Sequence, residues 1–338
     1  MMEPALLSVE DLAVSYAVTG GPLQRRPLRL TAVDGVSVAV RPGEVLALVG
    51  ESGCGKTSLA RAVSGLVAPS SGRVVLDGRD VTGFPRELGL RTRAAVQMVF
   101  QDPFDSLNPR KSVYATIEQP LRVHSIVPQG ERRAEVARLL DLVGLPAAAM
   151  DRFPHEFSGG QRQRIGIARA IAPRPRLLIA DEAVSALDIS IRAQLLSLLE
   201  RLKRELGLAM LFISHDLTVV RSFADRVAVM YLGRLVEEGP TDRVFDAPLH
   251  PYTRALLAAT PIADPARARS AGREPLGGDV PSPLAVPAGC RFHPRCPVAL
   301  ERCARDEPPR LADASAGYAV CHLAGRQPAR DTTLPGRS

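Results

Sequence analysis

The sequence predicts an α/β fold with a mainly parallel sheet, and three observations lead to that prediction. Apolar, strand-like runs alternate with helix-like runs along much of the chain, as in parallel sheets whose strands are joined by helices. A glycine-rich segment, residues 50–58, lies between one such strand and one such helix. A block over about residues 102–172, largely helical in pattern from Asn108 to Ala172, interrupts the alternation. This helical block therefore predicts a helical subdomain inserted into the α/β core.

The first elements along the chain are β-rich. Residues 6–18 and 31–49 alternate apolar and polar side chains, and the second segment ends in the buried run EVLALVG. This period of two predicts an antiparallel β subdomain ahead of the core. After the glycine-rich segment, LARAVSGLV predicts a helix, while GRVVLDG and AAVQMVFQ predict two strands.

Strand-like and helix-like runs alternate again after the helical block, and this alternation ends near Thr260. ERRAEVARLLDLVGL, residues 131–145, has its apolar positions on one helix face. RLLIADEA, SIRAQLLSLLERLKREL and AMLFISH predict a strand, a long helix and a strand. From about Thr260 onward Pro, Ala, Gly and Arg dominate. We therefore expect a main domain over residues 1–260 and a small extension over residues 261–338.

Composition limits the possible function classes. The 338 residues are 46% hydrophobic, which is enough for a large core. The net charge of +7 is spread along the chain, whereas a nucleic-acid-binding protein concentrates its basic residues, so no nucleic-acid partner is expected. No apolar run approaches the roughly 20 residues that cross a bilayer, and the N-terminal MMEPALLSVEDL lacks the basic start of a secretory signal. We therefore expect a cytoplasmic location.

The segment GESGCGKTS matches the phosphate-loop pattern G-x-x-x-x-G-K-[ST]. Its glycines let backbone N–H groups converge on phosphate oxygens, and the helix that follows turns its positive end toward them. Lys56 is expected to reach the β- and γ-phosphates, and the Thr57 hydroxyl to ligate magnesium. The expected ATP-binding positions of the segment are Gly50, Ser52, Gly53, Cys54, Gly55, Lys56, Thr57 and Ser58.

Polar side chains follow three of the predicted strands. RLLIADEA ends with Asp181 and Glu182, where the first acid is expected to coordinate magnesium and the second to orient or deprotonate the attacking water. Gln101 in VFQDP and His215 in LFISHDL stand at two more strand ends, and His215 suits donation to a phosphate oxygen. The acids of DEAVSALD also suit helix capping, an alternative that stays open for Asp188.

A second glycine-containing helix start lies far from the first. FSGGQRQRIGIARA, residues 157–170, places Ser158, Gly159 and Gly160 where a helix begins, and a helix start of this kind attracts anions. One nucleotide cannot occupy both helix starts.

In this order the motifs resemble the ATP-binding subunits of ABC transporters, over residues 6–260. The resemblance implies that residues 50–58 are the Walker A loop and that Tyr16 stacks on adenine. It implies catalytic roles for Gln101, Glu182 and His215, and magnesium ligation by Thr57, Gln101 and Asp181.

The resemblance also covers the second helix start. It implies that FSGGQ is the signature motif and SALD the D-loop, with Asp188 as its acid. Phe157 replaces the usual Leu of the signature, and Ala183-Val184 replace the usual Pro-Thr; neither change removes a group that touches phosphate or metal. The signature residues expected at the ATP of a partner subunit are Ser158, Gly159, Gly160 and Gln161.

The chain has one phosphate loop and one signature. In the family each nucleotide lies between the loop of one subunit and the signature of another, so the resemblance implies a dimer. ATP closes such a dimer, and loss of the γ-phosphate opens it. The helical block beginning near Gln101 is where members of the family contact their membrane partners, so the resemblance implies such a contact here.

The sequence of the extension restricts the resemblance to one branch of this family. HPYTRALLAATP, GCRFHPRCPVALERC and CHL resemble the C-terminal region of oligopeptide and dipeptide importer ATPases, a branch that includes nickel importers. This implies two transmembrane permeases, an extracellular solute-binding protein and usually a second, different ATPase subunit. It places the chain at the cytoplasmic face of the membrane as a peripheral subunit.

Four of the five cysteines, Cys290, Cys296, Cys303 and Cys321, lie in the extension. Structural disulfides are rare in a cytoplasmic protein, which leaves free thiols, zinc or an iron–sulfur cluster. The spacing lacks the close pairs of a zinc ribbon, four thiolates suit [4Fe–4S], and neighbouring His293 and His322 keep zinc open. Some members of the branch carry a [4Fe–4S] cluster on this set, which the resemblance extends to this chain.

Two other functions compete with a peptide importer. A soluble ABC ATPase acting on DNA or ribosomes usually has two nucleotide domains or a long coiled coil, and this chain has neither. A regulatory subunit with a decayed site would have lost residues such as Lys56, Asp181, Glu182 or His215, all of which are present. The transported substrate, peptide or nickel, stays open.

Overall fold

The computed structural model describes residues 4–18, 28–85, 88–101, 106–184, 188–259, 277–312 and 317–324. It confirms the α/β prediction, with a mainly parallel sheet, an antiparallel β subdomain and an inserted helical subdomain. The strands are β1 (Leu7–Val18), β2 (Leu28–Val40), β3 (Val45–Val49), β4 (Ser71–Leu76), β5 (Arg79–Asp80), β6 (Val96–Val99), β7 (Leu177–Asp181), β8 (Ala209–Ile213), β9 (Arg226–Tyr231), β10 (Arg234–Pro240), β11 (Arg310–Ala312) and β12 (Tyr318–Val320).

Helices fill the segments between the strands. The α-helices are α1 (Lys56–Val63), α2 (Leu90–Ala95), α3 (Val113–Val123), α4 (Arg132–Leu142), α5 (Gly159–Ile171), α6 (Ile189–Leu206), α7 (Leu217–Phe223), α8 (Thr241–Asp246) and α9 (Pro251–Ala258). Among the residues that the structure describes, none of these helices combines the length and apolar composition that a bilayer crossing requires.

The larger sheet positions the site. Its order is β11-β12-β10-β9-β3-β8-β7-β6, and β9, β3, β8, β7 and β6 are parallel. Every residue of β3, β7 and β8 is buried, which explains their continuous apolar sequences. Parallel strands bring their carboxyl ends to one edge, and that edge is where such folds bind ligands.

The smaller sheet is antiparallel, in the order β2-β1-β4-β5. Its buried side chains pack with α1 and one face of the larger sheet in a single apolar cluster. Tyr16, near the end of β1, is partly buried against this cluster. The sheet therefore holds Tyr16 beside the start of α1.

The helical subdomain packs on the opposite side of the larger sheet. α3 buries Val113, Ile117 and Leu121, and α4 buries Val136, Leu139 and Leu140. These residues share one apolar cluster with α5 and α6. The cluster fixes the start of α5 relative to the sheet.

The extension shares the core of the main domain. β12 pairs with β10, so β11 and β12 complete the larger sheet. Phe292 is 1% exposed, and its ring centroid lies 5.3 Å from that of Tyr231 and 5.4 Å from that of Tyr252. The predicted boundary between residues 260 and 261 falls in a segment, 260–276, outside the described residues, and it stays a prediction.

Candidate active site

The phosphate loop joins β3 to α1 through glycines that no other residue can replace without strain. Gly55, the N-cap of α1, has a φ of 110°, and a Cβ there would lie 2.1 Å from the Ala32 carbonyl oxygen. A Cβ on Gly50 would lie 2.2 Å from the Met230 carbonyl oxygen. The loop is therefore clamped between β2 and β9 with its backbone turned into the cavity in front of it.

Lys56 is buried within this loop. The side chain is 5% exposed, and its Nζ donates to the carbonyl oxygens of Gly50 and Glu51 at 2.8 and 2.9 Å. These bonds hold the ammonium beside the cavity, where its positive charge favours an anion. Cys54 lies beneath, buried in the apolar cluster under the β subdomain.

Thr57 and Asp181 meet at the carboxyl edge of the sheet. The Thr57 hydroxyl donates to Asp181 Oδ1 at 3.2 Å, and Asp181 is 4% exposed. Burial raises the pKa of Asp181, because ionisation there costs solvation. A hydroxyl and a buried carboxylate are oxygen ligands of the kind that Mg²⁺ prefers. These two residues fit the expected magnesium site.

Glu182 is the centre of a polar cluster. Gln101 Nε2 donates to Glu182 Oε2 at 2.9 Å, and His215 Nδ1 lies 3.3 Å from the same oxygen. The Glu182 N–H donates to the Ile213 carbonyl at 3.0 Å, which ties the start of the loop after β7 to β8. Two residues that stand far apart in the sequence, Gln101 and His215, therefore converge on the Glu182 carboxylate.

A cavity of about 480 Å³ lies in front of the phosphate loop and is also bordered by Gln101 and Glu182, whereas Gly50, Cys54, Asp181 and His215 are not among its lining residues. Tyr16 lies at its side and donates through its hydroxyl to Ser58 Oγ at 3.2 Å. The predicted site residues that line the cavity are Tyr16, Ser52, Gly53, Gly55, Lys56, Thr57, Ser58, Gln101 and Glu182. Sequence reasoning missed Leu232, Gly233 and Pro283, which also line it, because no motif marks them.

The second helix start is not part of this cavity in one chain. Ser158 is the N-cap of α5, where its Oγ accepts from the Gln161 N–H and its own N–H donates to Gln161 Oε1. Ser158 and Gln161 are exposed, so they are open to another molecule. A Cβ on Gly160 would lie 2.5 Å from Ile191 Cγ2, so this glycine allows close packing of α5 on α6; Gly159 begins α5.

Asp188 is the N-cap residue of α6, but its side chain makes no capping hydrogen bond. It is exposed. The rest of the predicted D-loop, residues 185–187, lies outside the described residues. The departures noted above are buried side chains: Phe157, Ala183 and Val184 are each at most 5% exposed.

The four cysteines of the extension surround one small cavity of about 10 Å³, which also borders His293 and His322. All are free thiols. Burial raises the pKa of Cys290 to about 11 and also raises the pKa of Cys296 and of Cys321. Backbone N–H groups of Leu300 and Leu323 donate to the sulfur atoms of Cys303 and Cys321 at 3.4 Å.

Cysteine sulfurs and histidine nitrogens suit a soft metal, but the side chains of this set are not arranged as a metal site. Among the described residues, no group of three His, Cys, Asp or Glu side chains is arranged to hold a metal ion. The shared cavity has room for about one water-sized atom, which is less than a cluster of four irons and four sulfides needs.

Comparison with known proteins gives the family. A family model described as ABC transporter matches residues 33–185. A second, described as the C-terminal region of oligopeptide/dipeptide transporters, matches residues 236–303. Both matches agree with the resemblance drawn from the motifs.

Curated relatives match over nearly the whole chain. A probable peptide ABC transporter ATP-binding protein of Sinorhizobium fredii is 48% identical over 95% of this chain and 91% of its own length. The oligopeptide transport ATP-binding protein AppF of Bacillus subtilis is 45% identical over 95% of this chain and 98% of its own length.

Solved structures share the fold of the main domain. CbiO1 of Clostridium perfringens, part of an ABC transporter complex, has a TM-score of 0.62 and 30% identity over 72% of this chain and 92% of its own. A post-hydrolysis dimer of the ATP-binding cassette MJ0796, bound to ADP and phosphate, has a TM-score of 0.61 and 26% identity over 70% of this chain and 98% of its own. The chain therefore belongs to the ABC transporter family of ATPases, whose members use ATP and Mg²⁺, in the branch that carries the oligopeptide/dipeptide transporter C-terminal region.

Proposed function

We propose that the chain is the ATP-hydrolysing subunit of an importer that carries oligopeptides or dipeptides across the cytoplasmic membrane. The observation that carries the proposal is the combination of an ATPase site with the peptide-transporter extension in one fold. Relatives similar over 95% of the chain are named as peptide and oligopeptide transport ATP-binding proteins. Nickel is the alternative substrate within the same branch.

In the proposed reaction, water attacks the γ-phosphorus of ATP and the bond to the β-phosphate oxygen breaks, giving ADP and phosphate. Glu182 orients the water and accepts its proton, while Gln101 and His215 hold the Glu182 carboxylate in place. Lys56 binds the β- and γ-phosphates. Thr57, Gln101 and Asp181 would hold a magnesium ion, which when bound would neutralise charge on the phosphates.

The proposed working unit is a dimer. Exposed Ser158 and Gln161, with Gly159 and Gly160, bind the nucleotide held by the partner's phosphate loop, and Asp188 lies at the same face. We infer a heterodimer with a second ABC ATPase subunit, as the branch implies. ATP then bridges both subunits, and hydrolysis releases them.

Two permease subunits are the proposed membrane partners. A groove of about 530 Å³ runs between α3 and the core, bordered by the exposed apolar side chains Leu66, Leu90 and Val123. Exposed apolar patches of this kind mark docking sites, and the groove lies on the helical subdomain, where the family contacts its permeases. The chain then sits at the cytoplasmic face of the membrane, and a solute-binding protein delivers the substrate from outside.

Affinity purification tests the proposal. The chain is expressed with its native neighbours, recovered from detergent-solubilised membranes, and every co-purified protein is identified by mass. We expect two multi-spanning subunits and a second ATPase. Recovery of only ribosomal or DNA-associated proteins, or of the chain alone from the soluble fraction, would overturn the importer and leave the ATPase.

Uptake by the purified complex then identifies the substrate. Proteoliposomes that contain the complex are supplied with the solute-binding protein, ATP and labelled dipeptide, oligopeptide or nickel. Peptide uptake that requires ATP supports the proposal, and nickel uptake alone would overturn it. The complex that carries Glu182→Gln, which should bind ATP without hydrolysing it, is the control that measures uptake independent of hydrolysis.

We also propose that the four extension cysteines bind metal, as a [4Fe–4S] cluster, with Zn²⁺ as the alternative. Support comes from the convergence of the four cysteines on one place in the fold and from the backbone N–H groups that donate to two of the sulfur atoms, because hydrogen bonds to sulfur favour the thiolate form that binds metal. Iron, acid-labile sulfide and zinc are measured in anaerobically purified protein. Cys296→Ser is expected to lose the metal and Cys54→Ser to keep it; a metal-free wild type would contradict the proposal.

A further inference from the structure

The extension reaches the phosphate loop through one arginine. Arg295 Nη1 and Nη2 donate to Glu51 Oε2 and Oε1 at 2.7 and 3.0 Å, the parallel two-bond geometry of strong arginine–carboxylate pairs. Glu51 directly follows Gly50, the first glycine of the loop. The Arg295 side chain is 5% exposed and that of Glu51 25%. The pair is therefore much less screened than an ion pair on the surface.

A negatively charged side chain in a phosphate-binding loop opposes the binding of a polyanion unless its charge is balanced. Glu51 is not among the residues that line the cavity, but a carboxylate released from its partner this close to the loop would repel phosphates, and the repulsion is strong where water is scarce. Lys56 does not neutralise it directly, because its Nζ donates to backbone carbonyls of the loop. Among the described residues, the ion-pair partner of the Glu51 carboxylate is Arg295.

Arg295 is itself held in place. Its Nε donates to the Gly277 carbonyl at 3.3 Å, and its guanidinium lies 5.9 Å from the centroid of the Tyr231 ring. Phe292, three residues earlier, anchors the segment in the aromatic cluster described above. A guanidinium fixed in this way loses little further freedom when it binds a carboxylate.

Other contacts link the C-terminal part of the chain, both α9 and the extension, to the loop and to the walls of the same cavity. The Glu51 N–H donates to the Tyr252 hydroxyl at 2.9 Å, so both the backbone and the side chain of Glu51 are held from the C-terminal part of the chain. Arg291 donates to the Leu232 carbonyl, and the adjacent Gly233 N–H donates to the Cys54 carbonyl in the loop at 2.8 Å.

We propose that Arg295 is a positioning residue for the nucleotide site: by pairing with Glu51, the extension neutralises this carboxylate and holds it away from the cavity that receives the phosphates. The inference rests on the proposed role of residues 50–58 in ATP binding. It gives the extension a function at the ATP site of its own chain, separate from any metal that the cysteines bind.

Calorimetric titration of the full-length chain with MgADP tests the inference, because MgADP probes the loop without turnover. Arg295→Gln leaves the Glu51 carboxylate unpaired and free to turn toward the phosphates, and we expect it to weaken binding about tenfold, or about 1.4 kcal/mol. Glu51→Gln removes the repelling charge and should tighten binding. The double variant should return to within about threefold of wild type, a difference of under 1 kcal/mol.

Matched controls separate positioning from folding. Arg305→Gln removes another arginine of the extension, one paired with Glu301 on the exposed surface, and should leave MgADP affinity unchanged. Arg295→Lys keeps the charge and should lose less affinity than Arg295→Gln. Because coupling between sites is reciprocal, MgADP should slow amide hydrogen exchange over residues 290–296 in wild type and not in Arg295→Gln.

Each other outcome is decisive. Equal weakening in Arg295→Gln and in the double variant would mean that Arg295 acts through the fold of the extension and not through Glu51, which overturns the inference. Unchanged MgADP affinity in Arg295→Gln would also overturn the inference. If the wild type still binds MgADP, the proposed role of the loop in nucleotide binding is unaffected by that result. A wild type that binds no MgADP would overturn the proposed role of the loop as well.

Discussion

Glu182 shows at the scale of one residue how the backbone serves the site. Its φ is 47°, in the left-handed region that residues with a Cβ seldom adopt. Strain of this kind persists where the surrounding structure imposes it, and it collects at functional sites. Here the turn after β7 directs the carboxylate toward Gln101 and His215.

The Glu182→Gln variant should lose steady-state ATP hydrolysis by at least about a hundredfold, because an amide cannot accept the proton of the attacking water. Affinity for MgATP should remain, since the loop that binds phosphate is intact. Phosphate release and equilibrium nucleotide binding are measured on the same preparation. Hydrolysis at the wild-type rate would refute the catalytic role of Glu182.

Asp181 gives a prediction about pH. Burial raises the pKa of this carboxyl, so in the metal-free protein its ionisation destabilises the fold as the pH rises through that raised value. The Asp181→Asn variant should therefore melt at a higher temperature than wild type at pH 7. The difference should vanish in acid, where both side chains are neutral.

Added Mg²⁺ provides the check on Asp181. Thermal melts are recorded from about pH 4 to about pH 8, with and without Mg²⁺ and nucleotide. The melting temperature of the wild type should rise more on addition of Mg²⁺ and nucleotide than that of Asp181→Asn. Equal gains would show that this carboxylate does not hold the ion.

Residues that belong to a local pattern could be identified from the sequence, and residues linked only by folding could not. The phosphate loop and the acids after β7 carry their spacing in a few consecutive positions. Glu51 and Arg295 are 244 residues apart, and neither position differs from an ordinary surface charge in the sequence. Tyr252 was missed for the same reason.

At the scale of elements, α5 starts with a reciprocal cap. The Ser158 hydroxyl and the Gln161 side chain each satisfy a backbone N–H of the other residue, which is the capping box of helix starts. The signature residues therefore have a structural role in one chain in addition to the proposed contact with a partner's nucleotide.

Two serine variants separate these roles. Ser112 caps α3 in the same way, with its Oγ accepting from the Ala115 N–H at 3.2 Å. Ser158→Ala and Ser112→Ala should each lower the free energy of unfolding by about 1 kcal/mol, since each removes one cap. Urea unfolding measures this loss.

Hydrolysis by the assembled dimer should distinguish the two variants. Only Ser158→Ala should reduce the ATPase rate, because only that hydroxyl faces a partner's nucleotide in the proposed dimer. Equal rates for both variants would restrict Ser158 to its capping role.

Prediction from sequence succeeded for elements with their own pattern. β7 and β8 were expected within residues 176–183 and 209–215 and occupy Leu177–Asp181 and Ala209–Ile213, since buried parallel strands are continuously apolar. β9 and β10 were not predicted, although β9 is buried over five of its six residues. β11 and β12 were also missed: each has three residues, too few for periodicity, and their pairing depends on contacts far along the chain.

For the whole molecule, one apolar cluster joins the helical subdomain, the larger sheet and the extension. Phe292 of the extension belongs to the same cluster as Tyr231 of β9 and Ile117 of α3. The extension is therefore expected to unfold together with the main domain in one cooperative transition.

The Phe292→Ala variant should lower the free energy of unfolding by about 3–5 kcal/mol, because it leaves a cavity among buried aromatic rings. Val298→Ala is the matched control, since Val298 is an exposed side chain of the same extension and should change stability by less than about 0.5 kcal/mol. Urea denaturation followed by circular dichroism gives both values. Similar losses in both variants would contradict a shared core.

The pairing of β12 with β10 also bears on solubility. β10 has seven residues, and without its neighbour it would offer a row of unpaired backbone groups on which another chain could add a strand. With the extension in place, the outermost strand on that side is β11, three exposed residues that begin with Arg310. A short, charged outer strand is a poor template for intermolecular pairing. A chain cut before Gly277 should therefore self-associate, even where its remaining core is folded.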